Sequence, residues 1–160
     1  MSGLKEMMAR WAQPGRVDWI GVRPERHAQM REVTAVDVND SGLIGDRGRA
    51  GQRAVTMIQA EHLPSIGSMM GQAAPDPCLL RRNLVISGIN LAALKRRRVW
   101  IGSALVELTV VCAPCSQMEA ALGHGGHSAM RGQGGWCARV VTPGRIALGD
   151  AVTPSEFTGQ

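Results

Sequence analysis

The clearest periodic signal in the chain runs through 104–111, where Ala104, Val106, Leu108 and Val110 fall on one face and Glu107 and Thr109 on the other. Alternation with period two marks a strand with one buried face. Shorter β-branched runs predict further strands over 17–22, 33–38, 53–58, 83–87, 99–101, 138–141 and 146–152. Twenty glycines and eight prolines punctuate them, the turn-rich pattern of an all-β barrel or sandwich. Helical signals are fewer: 4–11, a segment after Gln59 whose Pro64 fits only in a first turn, and 116–122, closed by Gly123. The stretch 123–135 holds six glycines with His124, His127 and Arg131 among them, and is expected to be an irregular lid or binding loop. The pattern therefore predicts a mostly β fold with a few short helices. Residues 1–14 form an N-terminal helical extension in this reading, 15–154 one β domain, and 155–160 a frayed tail.

A chain of 160 residues has room for one core, and 44% hydrophobic against 19% charged residues excludes a disordered chain. Charge says more. Eighteen Lys+Arg against thirteen Asp+Glu give a net charge of +5, and all but Lys5 and Lys95 of those cations are arginines. The planar guanidinium fork suits bidentate recognition of anions such as phosphate. Four Trp, one Phe and no Tyr leave few platforms for stacked bases, so stable nucleic-acid binding is not expected. Lys5, Glu6 and Arg10 break the apolar start, and no apolar run reaches the roughly 18 residues of a spanning helix. The expectation is a cytoplasmic protein with no membrane partner, monomeric or homodimeric.

In a reducing compartment, Cys78, Cys112, Cys115 and Cys137 read as free thiols, ligands or catalytic groups rather than bridges. Cys112-Ala-Pro-Cys115 lies between the best strand and a short helix, so Cys115 falls at a helix N-terminus, where free N–H groups favour a thiolate. It is the best nucleophile or soft-metal ligand. The strand-Cys-x-x-Cys-helix order also resembles thioredoxin, but there the first cysteine attacks, and the alternating strands and helices of that fold are missing. A zinc set of Cys112, Cys115, His124 and His127 misses the usual spacings. Cys78, Cys112 and Cys137 otherwise read as small buried hydrophobes. Among the arginines, Lys95 to Arg98 reads as a solvated turn. Arg53 and the pair Arg81-Arg82 instead open apolar strands, where a guanidinium at a barrel rim can grip a phosphate. No Walker-type loop, dinucleotide fingerprint or nucleophile elbow is present.

Taken in order, Gly42-Leu-Ile-Gly-Asp-Arg47, Arg53-Ala-Val-Thr56, Arg81-Arg82-Asn83-Leu84, Ser87-Gly-Ile-Asn90, Pro114-Cys115, Gly134-Gly135 with Ala138-Arg-Val140, and the run from Ile146 to Asp150 resemble the MOSC family. That domain ends the molybdenum cofactor sulfurases and also occurs as small free-standing bacterial proteins. The resemblance implies a MOSC-type β-barrel that binds molybdenum cofactor (molybdopterin). It implies that Cys115 carries a transferable sulfur or bonds the metal, and that Arg47, Arg53, Thr56, Arg81, Arg82, Asn83 and Asn90 line the cofactor cleft. Arginines would meet the pterin phosphate and amides its ring edges. In the family the motif needs only the Pro-Cys, so the position of Cys112 is a variable one.

The chain has no room for the pyridoxal-phosphate domain with which sulfurases extract sulfur, and no cysteine set for an iron–sulfur cluster or fingerprint for a flavin. The resemblance therefore implies an oxidoreductase that removes oxygen from N-hydroxylated bases or amines at a Cys115-ligated molybdenum, fed by an electron-donating reductase. The alternative is a sulfur carrier, with Cys115 taking persulfide sulfur from a pyridoxal-phosphate-dependent cysteine desulfurase. A third, non-enzymatic reading is a basic module that holds RNA or acidic lipid electrostatically.

Overall fold

A computed structural model describes residues 3–156. Its strands are β1 (Gly15–Val22), β2 (Arg31–Glu32), β3 (Ala35–Asn39), β4 (Gly42–Leu43), β5 (Val55–Gln59), β6 (Leu84–Ser87), β7 (Arg98–Ile101), β8 (Ala104–Val111), β9 (Trp136–Thr142), β10 (Gly144–Ala147) and β11 (Ala151–Pro154). Among the described residues seven strands close into a barrel, in the order β1, β11, β7, β8, β9, β5, β6 and back to β1. The short β2 prolongs the edge beside β1, and β10, β3 and β4 make a separate three-stranded sheet. The predicted strand over 146–152 is thus two. A turn at Leu148–Asp150, in which Asp150 accepts the Ala147 N–H at 2.8 Å, sends β10 and β11 to different sheets.

All barrel pairs are antiparallel except β5 and β6. A parallel pair needs a crossover, which here is helical: α2 (His62–Met69) and α3 (Pro77–Leu80). Pro64 falls within the first turn of α2, as the sequence requires. The helix α3 was not foreseen, although Asp76-Pro77 is a start signal: Asp76 accepts the Cys78 N–H at 2.9 Å, and proline needs no donor there. Val55, Met57, Leu84 and Ile86 face the barrel interior, whereas Ile58 and Val85 face outward beneath Leu63, Ile66, Leu80, Met118 and Met130. Burial on both faces explains why Met57-Ile58 in β5 and Leu84-Val85-Ile86 in β6 are consecutive apolar residues rather than alternating ones.

The remaining helices are α1 (Leu4–Met7), α4 (Ser116–Leu122) and α5 (Gly126–Met130). Only one turn of the expected 4–11 helix forms. The chain beyond it is tied to the barrel by Arg97, which donates to the Met8 carbonyl at 3.1 Å and lies 5.1 Å over the Trp11 ring. The glycine-rich stretch expected to be irregular contains α5, because the Glu119 carboxylate caps it, accepting the N–H groups of Gly125 and His127 at 3.0 Å each. In the expected tail, Ser155 donates to the Arg98 carbonyl at 2.8 Å, and residues 157–160 lie outside the described ones. No described helix is long and apolar enough to cross a membrane.

Candidate functional site

Where β1, β5 and β6 meet the loop after β8, two adjoining cavities open, of about 300 Å³ and about 580 Å³. Arg23, Arg53, Arg81 and Gln117 line both. The smaller adds Thr56, Arg82, Cys112, Cys115 and Cys137; the larger adds Arg26, Arg47 and Arg49. Arg81 caps the C-terminus of α3 in the left-handed conformation, φ +60°. That turn lets two consecutive arginines reach one cavity, at a backbone cost of about 1–2 kcal/mol for a residue with a Cβ.

The guanidinium bonds that Arg81 and Arg82 make go to backbone carbonyls, not to acids. Arg82 donates from Nε to the Gly134 carbonyl at 2.7 Å and from Nη1 to the Leu80 carbonyl at 3.0 Å, and Arg81 donates from Nη1 to the Ala28 carbonyl at 3.2 Å. Arg23 Nε, Arg81 Nε and one terminal nitrogen of Arg82 are buried with no partner. Burial foremost, then the neighbouring Arg81, pulls the Arg23 pKa down, and Asp46 offsets this only in part. Buried donors without acceptors are costly, more so when charged. A cluster with spare donors and excess positive charge is therefore built to receive an anion with several oxygens.

The thiols differ sharply. Cys115 is exposed and sits at the N-cap of α4, where the chain is still extended, φ −120°. Met118, 1% exposed, anchors the helix behind it. Cys112 and Cys137 are buried, with their sulfurs 2.8 Å apart. Their hydrogen bond acts oppositely on the two: it raises Cys112 well above an ordinary thiol and lowers Cys137 to about 7, with Arg53 and Arg82 also favouring the Cys137 thiolate. Burial, then Asp76, raises the half-buried Cys78, which lies away from this cavity.

The sequence model of the MOSC domain matches residues 26–153, most of the chain. The chain belongs to the MOSC domain family. Its fold is similar to the YuaD protein of Bacillus subtilis, at a TM-score of 0.76 and 17% identity over 88% of this chain and 94% of that one. It is also similar to YiiM of Escherichia coli (TM-score 0.70, 18% identity, 91% and 72% covered) and YiiM of Geobacillus stearothermophilus (0.72, 18%, 88% and 75%). At such identities the likeness is one of fold. Among curated proteins none matches the chain.

Within this MOSC barrel the residues singled out from sequence divide into three groups. Arg47, Arg53, Arg81 and Arg82 border the two arginine cavities together with Cys115 and Thr56. Thr56 and Asn83 are pegs: Asn83 accepts the Thr56 N–H at 3.0 Å and its hydroxyl at 3.2 Å, and donates to the Gly21 carbonyl at 3.1 Å. With its amide spent pinning β5, β6 and β1, Asn83 is not offered to a ring edge. Asn90 lies elsewhere, capping the 3₁₀ turn Leu91–Leu94 through the Ala92 N–H at 3.2 Å. It lines a third, more apolar cavity with Leu91, Val111, Pro114 and Trp136. The sequence reading missed Arg23, which follows β1 and reaches the cleft only because the barrel closes. Gly134, read from the sequence only as part of the family pattern, gains a specific role here. A Cβ there would strike the Cys112 carbonyl, so its glycine lets one carbonyl hold Arg82 against the end of β8. Among the described residues no three His, Cys, Asp or Glu side chains come together as a metal site, so a metal ion here would need most of its ligands from a bound group, with Cys115 as the protein's own.

Proposed function

We propose that this MOSC protein binds molybdenum cofactor in the arginine cleft and is an oxidoreductase that reduces N-hydroxylated bases or amines, with Cys115 as the thiolate ligand of the metal. The observation that carries this reading is the set of three unpartnered, buried guanidinium nitrogens of Arg23, Arg81 and Arg82 beside an exposed thiol. They fit a phosphate-bearing ligand that also needs one soft donor. Bound there, the cofactor supplies a metal centre able to take oxygen from nitrogen in a two-electron reaction.

The chain's own residues have definable parts. Arg23, Arg81 and Arg82 hold the phosphate oxygens, while Arg53, exposed at the rim, draws the anion in. The bonds from Arg82 to Gly134 and Leu80 set the distance between the phosphate grip and the Pro114-Cys115 corner. Val111, Ala113 and Met118 give the cavity an apolar side beside its arginines. A second reading is a sulfur carrier, favoured by the exposure of Cys115: a pyridoxal-phosphate-dependent desulfurase could reach it directly, whereas a reductase role requires a separate electron-donating reductase.

Molybdenum content of protein purified from molybdate-fed cells, wild type beside Cys115→Ala, tests the proposal. Near one metal per chain in wild type, lost in a variant that keeps its thermal unfolding, is the expected outcome. Metal absent from both, with persulfide found on Cys115, would replace it by the carrier reading.

A further inference from the structure

A second thiol centre lies in the same cavity and has no part in the function proposed above. Cys112 and Cys137 stand 25 positions apart in the chain, the first directly after β8 and the second within β9. The register shift between Leu108 and Val111 brings them together, and their sulfurs are 2.8 Å apart, against about 2.05 Å for a disulfide bond. Both backbones are held in place: the Cys112 N–H donates to Gly135 at 2.8 Å, and the Cys137 carbonyl accepts the Thr109 hydroxyl at 3.1 Å. Closing the gap therefore asks for movement of the two sulfurs, not of the strands. The pair is 9% and 3% exposed, yet both residues line the cavity of about 300 Å³ that holds Arg53, Arg82 and Cys115. A small solute can reach them where a protein surface cannot.

We propose that Cys112 and Cys137 form a redox-active dithiol that closes to an intramolecular disulfide at the expense of a small hydroperoxide entering the cleft. Cys137, which holds its proton less tightly than its partner, is the attacking thiolate. Its sulfur bonds one peroxide oxygen, the O–O bond breaks, and the leaving hydroxide takes a proton to become water. Cys112, losing its proton, then attacks the sulfenic sulfur of Cys137. The S–S bond forms as the S–O bond breaks, and a second water leaves. The balance is two thiols and one hydrogen peroxide to one disulfide and two waters. A dithiol reductant reverses it, the reductant becoming a disulfide. The Cys-x-x-Cys spacing that suggests pairing Cys112 with Cys115 is thus misleading, since the structure assigns Cys112 to Cys137.

The chemistry is independent of bound molybdenum, so its test does not use activity. The reduced full chain is treated with one equivalent of hydrogen peroxide, its remaining thiols are alkylated, and unreduced peptides are mapped by mass spectrometry. The expected product lacks two hydrogens, joins the Cys112 and Cys137 peptides, leaves Cys78 and Cys115 alkylated, and reverts with dithiothreitol. In Cys112→Ser, oxidation should stop at a Cys137 sulfenic acid that dimedone traps, and Cys115→Ala should still form the Cys112–Cys137 link. A Cys112–Cys115 link in wild type, or all four thiols still alkylated after excess peroxide, would overturn the proposal.

Discussion

Two runs of arginine in this chain look alike in sequence and do opposite things. Arg81-Arg82 and Arg96-Arg97-Arg98 each precede or open a barrel strand, and each begins with an arginine in the left-handed conformation, φ +60° and +62°. In the second run two of the three guanidinium groups are engaged, and Arg96 is exposed. Arg97 faces Trp11, the Met8 carbonyl and Glu156, and Arg98 lies 3.6 Å from Glu107. Lys95, Arg96 and Arg98 are exposed, as a solvated turn requires, and Arg97 alone fastens the N-terminal segment to the barrel. In the first run no carboxylate pairs with either arginine among the described residues, and each leaves one buried donor free. The difference is not the number of cations but whether their donors are already satisfied, and only unsatisfied ones call for a ligand.

Removing the side chain at the centre of each run is the strongest way to break the comparison. Arg82→Ala strands the Gly134 and Leu80 carbonyls, and denaturant unfolding should show a loss of about 2–4 kcal/mol, with molybdenum content also falling. Arg97→Ala should cost only about 0.5–1 kcal/mol and leave metal content unchanged. Equal losses of metal in the two would end the distinction.

A finer cut uses the shared left-handed turn. Arg81→Gly and Arg96→Gly should each relieve about 1 kcal/mol of backbone strain, seen as a small rise in unfolding temperature for Arg96→Gly and offset in Arg81→Gly by the lost bond to the Ala28 carbonyl. Only Arg81→Gly should weaken binding of inorganic phosphate in calorimetry, by about 1.5–3 kcal/mol for the charge-assisted bond lost. The smallest effect concerns the field around the buried thiols. With the Cys137 pKa lowered to about 7, the rate of peroxide oxidation should rise with pH and level off above that value, because the thiolate is the reactive form. Arg53→Ala should move the rise to higher pH by a fraction of a unit, whereas Arg98→Ala should leave it in place, followed by stopped-flow mass sampling.

Local structure was largely legible where the signal is local. The helix Ser116–Leu122 ends at Gly123 as its pattern requires, Pro64 sits in a first turn, and β8 runs Ala104–Val111. The failures share a cause. The run 146–152 reads as one strand because Ala147 and Ala151 are both strand-compatible, and only the closing of two separate sheets divides it. The stretch 123–135 reads as irregular because glycine is a poor helix former, and Glu119, outside that stretch, supplies the cap.

The same boundary runs through the site. Composition and motif order by themselves determined a β domain of this family, an anion-seeking arginine set and a cysteine that opens a helix, since each is written in neighbouring residues. Only the tertiary structure decided which arginines keep free donors, that Arg23 joins them, that Asn83 is a peg, and that Cys112 meets Cys137 rather than Cys115. Those outcomes depend on barrel closure and on a register shift between β8 and β9. They bring together side chains separated by tens of residues, and no local pattern in a sequence encodes such a distance.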